Sequence, residues 1–226
     1  ELRRVREAQQ ASAKLVMVGF NRRYAPLAMR MKDAFAGRTQ PMMISYFANV
    51  GLRPPEHWLH HPKEGGGVIV GEACHHLDFC RWLVDEPLAD FSVTPLGRRN
   101  RGQPVDTVQV TLRFVDGSIA SVTYASNGNR RFPTETVEAC SGGRQARLVD
   151  FRLLESPGRW MLRRDRAWLA VDKGHRAQLE RFLGAAAGTA LTIDVDGYFE
   201  SSRLAIEVSN AANATMEDAD PMGSAT

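Results

Sequence analysis

Cysteine is scarce in this chain, long apolar runs are missing, and neither sign of charge dominates. Three cysteines among 226 residues, Cys74, Cys80 and Cys140, are too few and too scattered for a disulfide framework or a zinc ribbon. Reduced thiols in a cytoplasmic protein are expected instead. No apolar stretch approaches the roughly 20 residues needed to span a bilayer. The opening residues, Glu1-Leu2-Arg3-Arg4-Val5-Arg6-Glu7, are charged at helical spacing and hold no signal-peptide core. Membrane and secreted proteins are therefore disfavoured. Basic residues number 29 against 26 acidic ones, a net charge of +3, and aromatics make up only 8%, so nucleic acid is not an expected partner. The remainder is ordinary globular composition, 43% hydrophobic and 24% charged, enough for one large domain or two small ones.

The chain opens inside a helix and without an initiator Met. The helix leads into Lys14-Leu15-Val16-Met17-Val18-Gly19-Phe20, a short apolar run that reads as a strand buried on both faces. Helix then strand is half of a βαβ repeat, so residues 1–20 read as the end of an α/β domain whose other strands lie elsewhere. No glycine-rich phosphate loop appears in the right context. Beyond it, the spacing predicts a helix from Tyr24 to Phe35 with Pro26 in its first turn, and a strand over residues 41–50. A long loop, Gly51 to Gly67, follows, and then the clearest helix, Val68 to Val84, with Ile69, Ala73, Leu77, Cys80 and Val84 in one apolar stripe.

Strand-like runs dominate from there. Phe91 to Leu96 is followed by Val105 to Phe114, which alternates, and Asp116-Gly117 turns the chain into Ser118 to Tyr124, the best hairpin signal present. Thr134 to Ala139 is another strand, Ser141-Gly142-Gly143 another turn, and residues 146–154 and 160–162 are weaker candidates. Two helices are expected late: Asp172 to Ala186, with Leu179, Phe182 and Leu183 inward, and one running to about Ala212, before a polar tail expected to be mobile. No internal repeat is present. The fold class is α+β, an open and mostly antiparallel sheet with helices on one face. Residues 21–214 form its main domain and residues 215–226 the tail.

Chemistry concentrates between His57 and Trp82, which hold five of the six histidines. Glu72, His75, Asp78, Phe79 and Trp82 lie three or four apart, on a helix face opposite the apolar stripe. A histidine there between carboxylates can move protons near neutral pH. Gly65-Gly66-Gly67 at the helix start would let a ligand approach the backbone. A plain polar face beside a loop is the competing reading. His57, His60, His61 and Glu64 match no standard zinc spacing, and Trp58 and these histidines read better as a pocket wall or loop surface. No metal is expected. Asn21-Arg22-Arg23-Tyr24 follows the first apolar run, where ligands bind outside the carboxyl ends of strands in open α/β sheets. Arg159, Arg163, Arg164 and Arg166 read as a solvated face.

Three segments, in order, resemble the glucose–fructose oxidoreductase/inositol dehydrogenase (Gfo/Idh/MocA) family. Val18-Gly19-Phe20-Asn21-Arg22-Arg23-Tyr24-Ala25-Pro26 is similar to the exit from its nucleotide domain. Gly65-Gly66-Gly67-Val68-Ile69-Val70-Gly71-Glu72-Ala73-Cys74-His75-His76-Leu77-Asp78 is similar to its substrate-helix motif, and Asp172 to Leu179 to its late helix. The version with Gly-Glu-x-Cys-His resembles the bi-domain oxidoreductase branch. The resemblance implies the C-terminal, dihydrodipicolinate-reductase-like domain of an oxidoreductase that uses NAD or NADP and acts on a sugar, cyclitol or related polyol. The Rossmann domain would lie upstream of Glu1, taking with it the phosphate-binding glycine loop and the lysine of the family's Glu-Lys-Pro loop. This chain alone is then expected to be inactive and to bind no dinucleotide tightly.

By the same resemblance His75 is the acid/base candidate. Gly71 stands where the family often has an aspartate, and Glu72 is a neighbour that could substitute. Asn21, Arg22, His76, Asp78, Trp58 and Asn127 would contact a carbohydrate-like substrate, with Arg22 also placed for the nicotinamide. A homodimer paired sheet against sheet is implied as well. Two rival classes stay open: a catalytically dead relative serving as a binding or scaffolding module, and a metal-dependent lyase or hydrolase using His57, His60, His61 and His75.

Overall fold

The computed structural model describes residues 1–54, 56–60, 64–96, 105–157, 162–167, 170–189 and 191–218. Its frame is one eight-stranded sheet, with strands in the order β2-β3-β4-β1-β5-β6-β7-β8. These are β1 (Met43–Asn49), β2 (Leu88–Pro95), β3 (Val108–Phe114), β4 (Ile119–Ala125), β5 (Glu135–Ser141), β6 (Arg144–Val149), β7 (Leu153–Pro157) and β8 (Leu162–Arg166). Only β1 and β4 run parallel, Met43 opposite Ile119; every other pairing is antiparallel. The hairpin expected at Asp116-Gly117 is the β3–β4 turn, with Gly117 at φ 87° and Phe114 bonded to the Ser118 carbonyl. One sheet face carries the core: Ile44 and Tyr46, Val110 and Leu112, Ala120 and Val122, Val137 and Ala139, Leu148 and Leu154 are all buried. Strict alternation of side chains along a strand produces this division. The other face shows Met43, Phe47 and Ile119 to solvent.

The helices are α1 (Leu2–Ser12), α2 (Pro26–Ala34), α3 (Cys74–Val84), α4 (His175–Ala186) and α5 (Val195–Asp218). Pro26 occupies the first turn of α2, where its missing N–H costs no hydrogen bond. Helix α3 is entered through a single π-helical segment, Ile69–Ala73, and ends on Asp85 in the left-handed region. The expected stripe of Ile69, Ala73, Leu77, Cys80 and Val84 is buried throughout. Among the described residues no helix is long and apolar enough to cross a membrane.

The structure corrects four local expectations. Residues 14–20 belong to no strand, with Val16 to Val18 half-buried and only Phe20 in the core. Apolar composition satisfies a strand only where a neighbour supplies ladder partners, and none adjoins this run. The weak stretch 146–154 is two strands, β6 and β7, which meet at a tight turn. Leu179 and Leu183, expected inward on α4, are 58% and 57% exposed, and that helix has no buried residue. Finally, the face of α3 opposite the stripe is not polar and open. Phe79 and Asp78 are fully buried, Phe79 edge-on against Tyr46 and Phe151 and Asp78 against the Arg23 guanidinium. The tail from residue 219, with His61 and Arg159, lies outside the described residues. Arg163, Arg164 and Arg166 on β8 are exposed, as expected of a solvated face.

Candidate active site

The site forms where the start of α3 crosses the core face of the sheet. The triple glycine makes the crossing possible in two different ways. A Cβ on Gly65 would lie 2.6 Å from the Leu59 Cα, while Gly66 and Gly67 have φ of 68° and 85°, a region only glycine enters freely. What approaches the backbone at Gly65 is thus the chain's own Trp58–Leu59 segment and not a ligand. The same segment explains Gly71: a Cβ there would stand 2.4 Å from Leu59 Cδ1 and 2.8 Å from the Gly65 carbonyl oxygen. As packed, the position cannot carry the aspartate common in similar sequences.

Glu72 is held in place. Tyr124 Oη donates to its Oε2 at 2.6 Å, Arg53 reaches the same oxygen at 2.5 Å, and Arg53 Nη1 donates to Tyr124 Oη at 2.7 Å. Burial and the Glu72 charge together push the Tyr124 hydroxyl above its ordinary range, so it stays a proton donor. Glu72 itself is half-buried, with one edge toward solvent.

His75 and His76 point to opposite sides. His75 meets the edge of Phe20 at 5.8 Å, and its Nδ1 is buried without a hydrogen-bond partner among the described residues. Burial, reinforced by the nearby Arg22 cation, lowers its pKa to about 3. It is therefore a neutral imidazole at physiological pH. His76 is fully buried between Tyr46, at 4.9 Å, and Tyr124, at 5.9 Å. Among the described residues its Nδ1 has no hydrogen-bond partner, and its Nε2 stands 3.5 Å from Glu135 Oε2, at the edge of hydrogen-bond reach. Expected to touch substrate, His76 instead lies beneath the site wall, and burial keeps it neutral too.

Glu135 is the hub that the sequence reading missed. At 2% exposure its carboxylate accepts Nε and Nη2 of Arg22 at 2.7 and 3.0 Å, the Tyr46 hydroxyl at 2.5 Å and Lys173 Nζ at 2.5 Å. Burial alone would raise its pKa; His76 and the Arg22 fork outweigh that and hold it well below the usual carboxylate range. Burial likewise opposes the Arg22 cation, and Glu135 reverses the balance. A signal existed in the sequence. Glu135 shares the inward register with Val137 and Ala139, so β5 points a carboxylate into the core, where it must be paired. Arg22 spends two of its nitrogens on Glu135 and retains Nη1 without a partner among the described residues.

The other expected contacts are placed less favourably. Asn21 Nδ2 donates to the Lys173 carbonyl at 2.7 Å, tying the segment before α4 to the segment before α2. Asp78 is fully buried and receives Arg23 Nε at 3.0 Å, a fork that pins α3 to the Asn21–Tyr24 turn; it does not face a substrate space. Trp58 is 54% exposed on a short 3₁₀ turn with His60, on the rim formed by the loop. Asn127 lies exposed in the turn after β4. Among the described residues no group of three or more His, Cys, Asp or Glu could hold a metal ion; His61, one of the four histidines of the metal-dependent alternative, lies outside them. The described residues also hold no phosphate cradle for a dinucleotide.

Comparison with known proteins agrees with this architecture. Residues 32–143 match the model of the GFO/IDH/MocA C-terminal domain. Inositol 2-dehydrogenase 2 of Paenarthrobacter aurescens (strain TC1) is 26% identical over 126 residues, covering 54% of this chain and 36% of that protein; the match thus spans about a third of the relative's length. Aldose-aldose oxidoreductase from Caulobacter crescentus superposes with a TM-score of 0.76 at 14% identity, over 95% of this chain and 66% of that one. UDP-N-acetylglucosamine 3-dehydrogenase from Acidithiobacillus ferrooxidans gives 0.73 at 18% identity, over 95% and 67%. The open sheet and the helix laid across it agree with the match of residues 32–143, about half of the chain, to the GFO/IDH/MocA C-terminal domain: over that stretch the chain is similar to the Gfo/Idh/MocA family.

Proposed function

We propose that this chain is the substrate-side domain of an NAD(P)-dependent oxidoreductase that moves a hydride between a carbinol carbon of a sugar, cyclitol or related polyol and the nicotinamide. The observation that carries the reading is His75: a neutral imidazole with a buried, unpartnered nitrogen, beside Arg22 and at the start of a helix laid over the sheet. The nicotinamide, when bound, supplies or takes the hydride. His75 takes the hydroxyl proton as a carbinol is oxidised and returns it in the reverse direction. Arg22, fixed by Glu135, presents its remaining Nη1 edge to a hydroxyl oxygen, and Glu72 offers a carboxylate oxygen positioned by Tyr124 and Arg53.

Dinucleotide phosphates would be held by a Rossmann domain preceding Glu1. The unpaired run 14–20, the solvent-facing Leu179 and Leu183 of α4 and the greater length of the relatives support that arrangement. Met43, Phe47 and Ile119 on the open sheet face support pairing with a second copy about a two-fold axis. The test is an absorbance assay at 340 nm, run with NAD⁺ and NADP⁺ on the chain joined to its nucleotide-binding domain, against inositols, aldoses and sugar acids. Reduction with at least one polyol supports the proposal. Stoichiometric dinucleotide binding without turnover of any would favour the catalytically dead scaffolding relative.

A further inference from the structure

Charge on this protein is unevenly placed. The chain carries a formal excess of only +3, yet a single cavity of about 480 Å³ is lined by Arg130, Arg131, Arg152 and Lys173 against one carboxylate, Asp150. Asp150 is also occupied, its Oδ1 accepting the Glu135 N–H at 2.9 Å. Arg131 and Arg152 are exposed and have no ion-pair partner among the described residues. Arg130 is anchored, with Nη2 on the Leu52 carbonyl at 2.9 Å and its stem so close over Gly51 that a Cβ there would stand 2.6 Å from Cγ.

The floor of the cavity is built, and at some cost. Asp150 and Phe151 have φ of 50° and 53°, two consecutive non-glycine residues in the left-handed region, which side chains enter only at a steric cost. Their turn closes through Arg152 N–H on the Val149 carbonyl at 2.9 Å. It buries Phe151 under the Lys173 ammonium and holds Asp150 against the start of β5. Like charges gathered around a concavity repel one another until an anion enters. Lys173 joins this cavity to the site above, because its Nζ sits on the same Glu135 carboxylate that fixes Arg22 and flanks His76.

We infer that the Arg130–Arg131–Arg152–Lys173 cavity is an oxyanion subsite, and that the substrate is an anionic carbohydrate bearing a phosphate or carboxylate. The inference rests on the hydride-transfer reading for the carbinol end of that molecule, while the anion end stands on the cavity alone. Arginine forks suit phosphate and carboxylate geometry. Three forks around one space exceed what a neutral polyol needs.

The test separates the two claims. Calorimetry on this chain with pyrophosphate, glucose 6-phosphate, glucuronate, glucose and NADP⁺, at low and raised salt, is repeated on R131A/R152A; both replaced side chains are exposed, and a retained melting temperature confirms the fold. Saturable, salt-sensitive binding of glucose 6-phosphate or glucuronate is expected, with glucose silent and affinity falling at least about tenfold in the double variant. The sugar phosphate and the sugar acid distinguish the two sources of the oxyanion. No saturable binding of either, equal affinity in the variant, or binding of NADP⁺ alone would overturn the inference. So would turnover of neutral polyols by the enzyme with kcat/KM unchanged in R131A/R152A, which would leave the oxidoreductase reading intact. Anion binding that weakens in the variant, in a protein without dehydrogenase activity, supports the subsite and defeats the hydride-transfer reading alone.

Discussion

Replacing Glu135 with alanine should be among the most damaging single changes outside the apolar core. The carboxylate is 2% exposed and accepts four hydrogen bonds from three residues. Its three partners respond differently to its loss. Lys173 is 30% exposed and can turn to water at little cost. Tyr46 is fully buried and loses the acceptor for its hydroxyl. Arg22, with a side chain 9% exposed, is left as an uncompensated cation. Breaking a buried pair in this way costs about 3–5 kcal/mol, which for a chain near 200 residues lowers Tm by roughly 6–20 °C. Urea denaturation followed by circular dichroism measures it. Glu135→Gln keeps the shape without the charge and should fall between. The pH dependence has a definite sign. A carboxyl whose folded pKa is depressed contributes stability above its unfolded value near 4.5 and loses it as pH falls through the folded value. The gap between wild type and E135A should therefore be full at neutral pH and close in acid. A loss under about 1 kcal/mol, or a gap that widens in acid, would refute the pairing.

Three further outcomes follow from the same geometry. His75 has its pKa lowered to about 3, so between there and about 6.5 the unfolded chain binds the extra proton and stability falls as pH falls. His75→Gln should flatten the slope of urea-derived stability against pH by up to about 1.4 kcal/mol per unit in that window, and an unchanged slope would reject the neutral imidazole. Gly71→Asp should destabilise by about 1–3 kcal/mol through overpacking against Leu59 and the Gly65 carbonyl oxygen; equal melting temperatures for wild type and G71D would show that the loop yields freely. Light scattering at micromolar concentration should return twice the 25.1 kDa chain mass, and Phe47→Asp on the open sheet face should return it to one; a wild-type monomer would dismiss the sheet-to-sheet pairing.

The parts of the fold legible from sequence are those where local pattern and tertiary environment agree. Val108–Phe114 and Ile119–Ala125 alternate because one face is buried, and Asp116-Gly117 supplies the turn chemistry that joins them. The apolar stripe of α3 was legible for the same reason. The β6–β7 turn was not, because Asp150-Phe151 enters the left-handed region without a glycine, held there by the packing of Phe151, the Arg152 N–H on the Val149 carbonyl and the paired bonds between Asp150 and Glu135. Residues 14–20 misled because apolar composition says nothing about whether a pairing strand exists. On α4 the periodicity of Leu179 and Leu183 was real, but the surface to bury them is not among the described residues. At the site, motif resemblance marked His75 and Glu72 as candidates. Spacing alone could not reveal that Asp78 serves Arg23, or that Glu135, 113 positions from Arg22, gathers the charges.

The account stands most directly on hydride transfer supported by His75. The decisive measurement is kcat/KM for dinucleotide reduction, wild type against His75→Ala, in the chain joined to its nucleotide-binding domain and with the polyol it oxidises best. Loss of a positioned acid/base lowers the rate by about a hundredfold or more, with a melting temperature close to wild type, since His75 Nδ1 has no hydrogen-bond partner among the described residues. A rate within a few-fold of wild type, or a fall in melting temperature large enough to explain the loss, would contradict it.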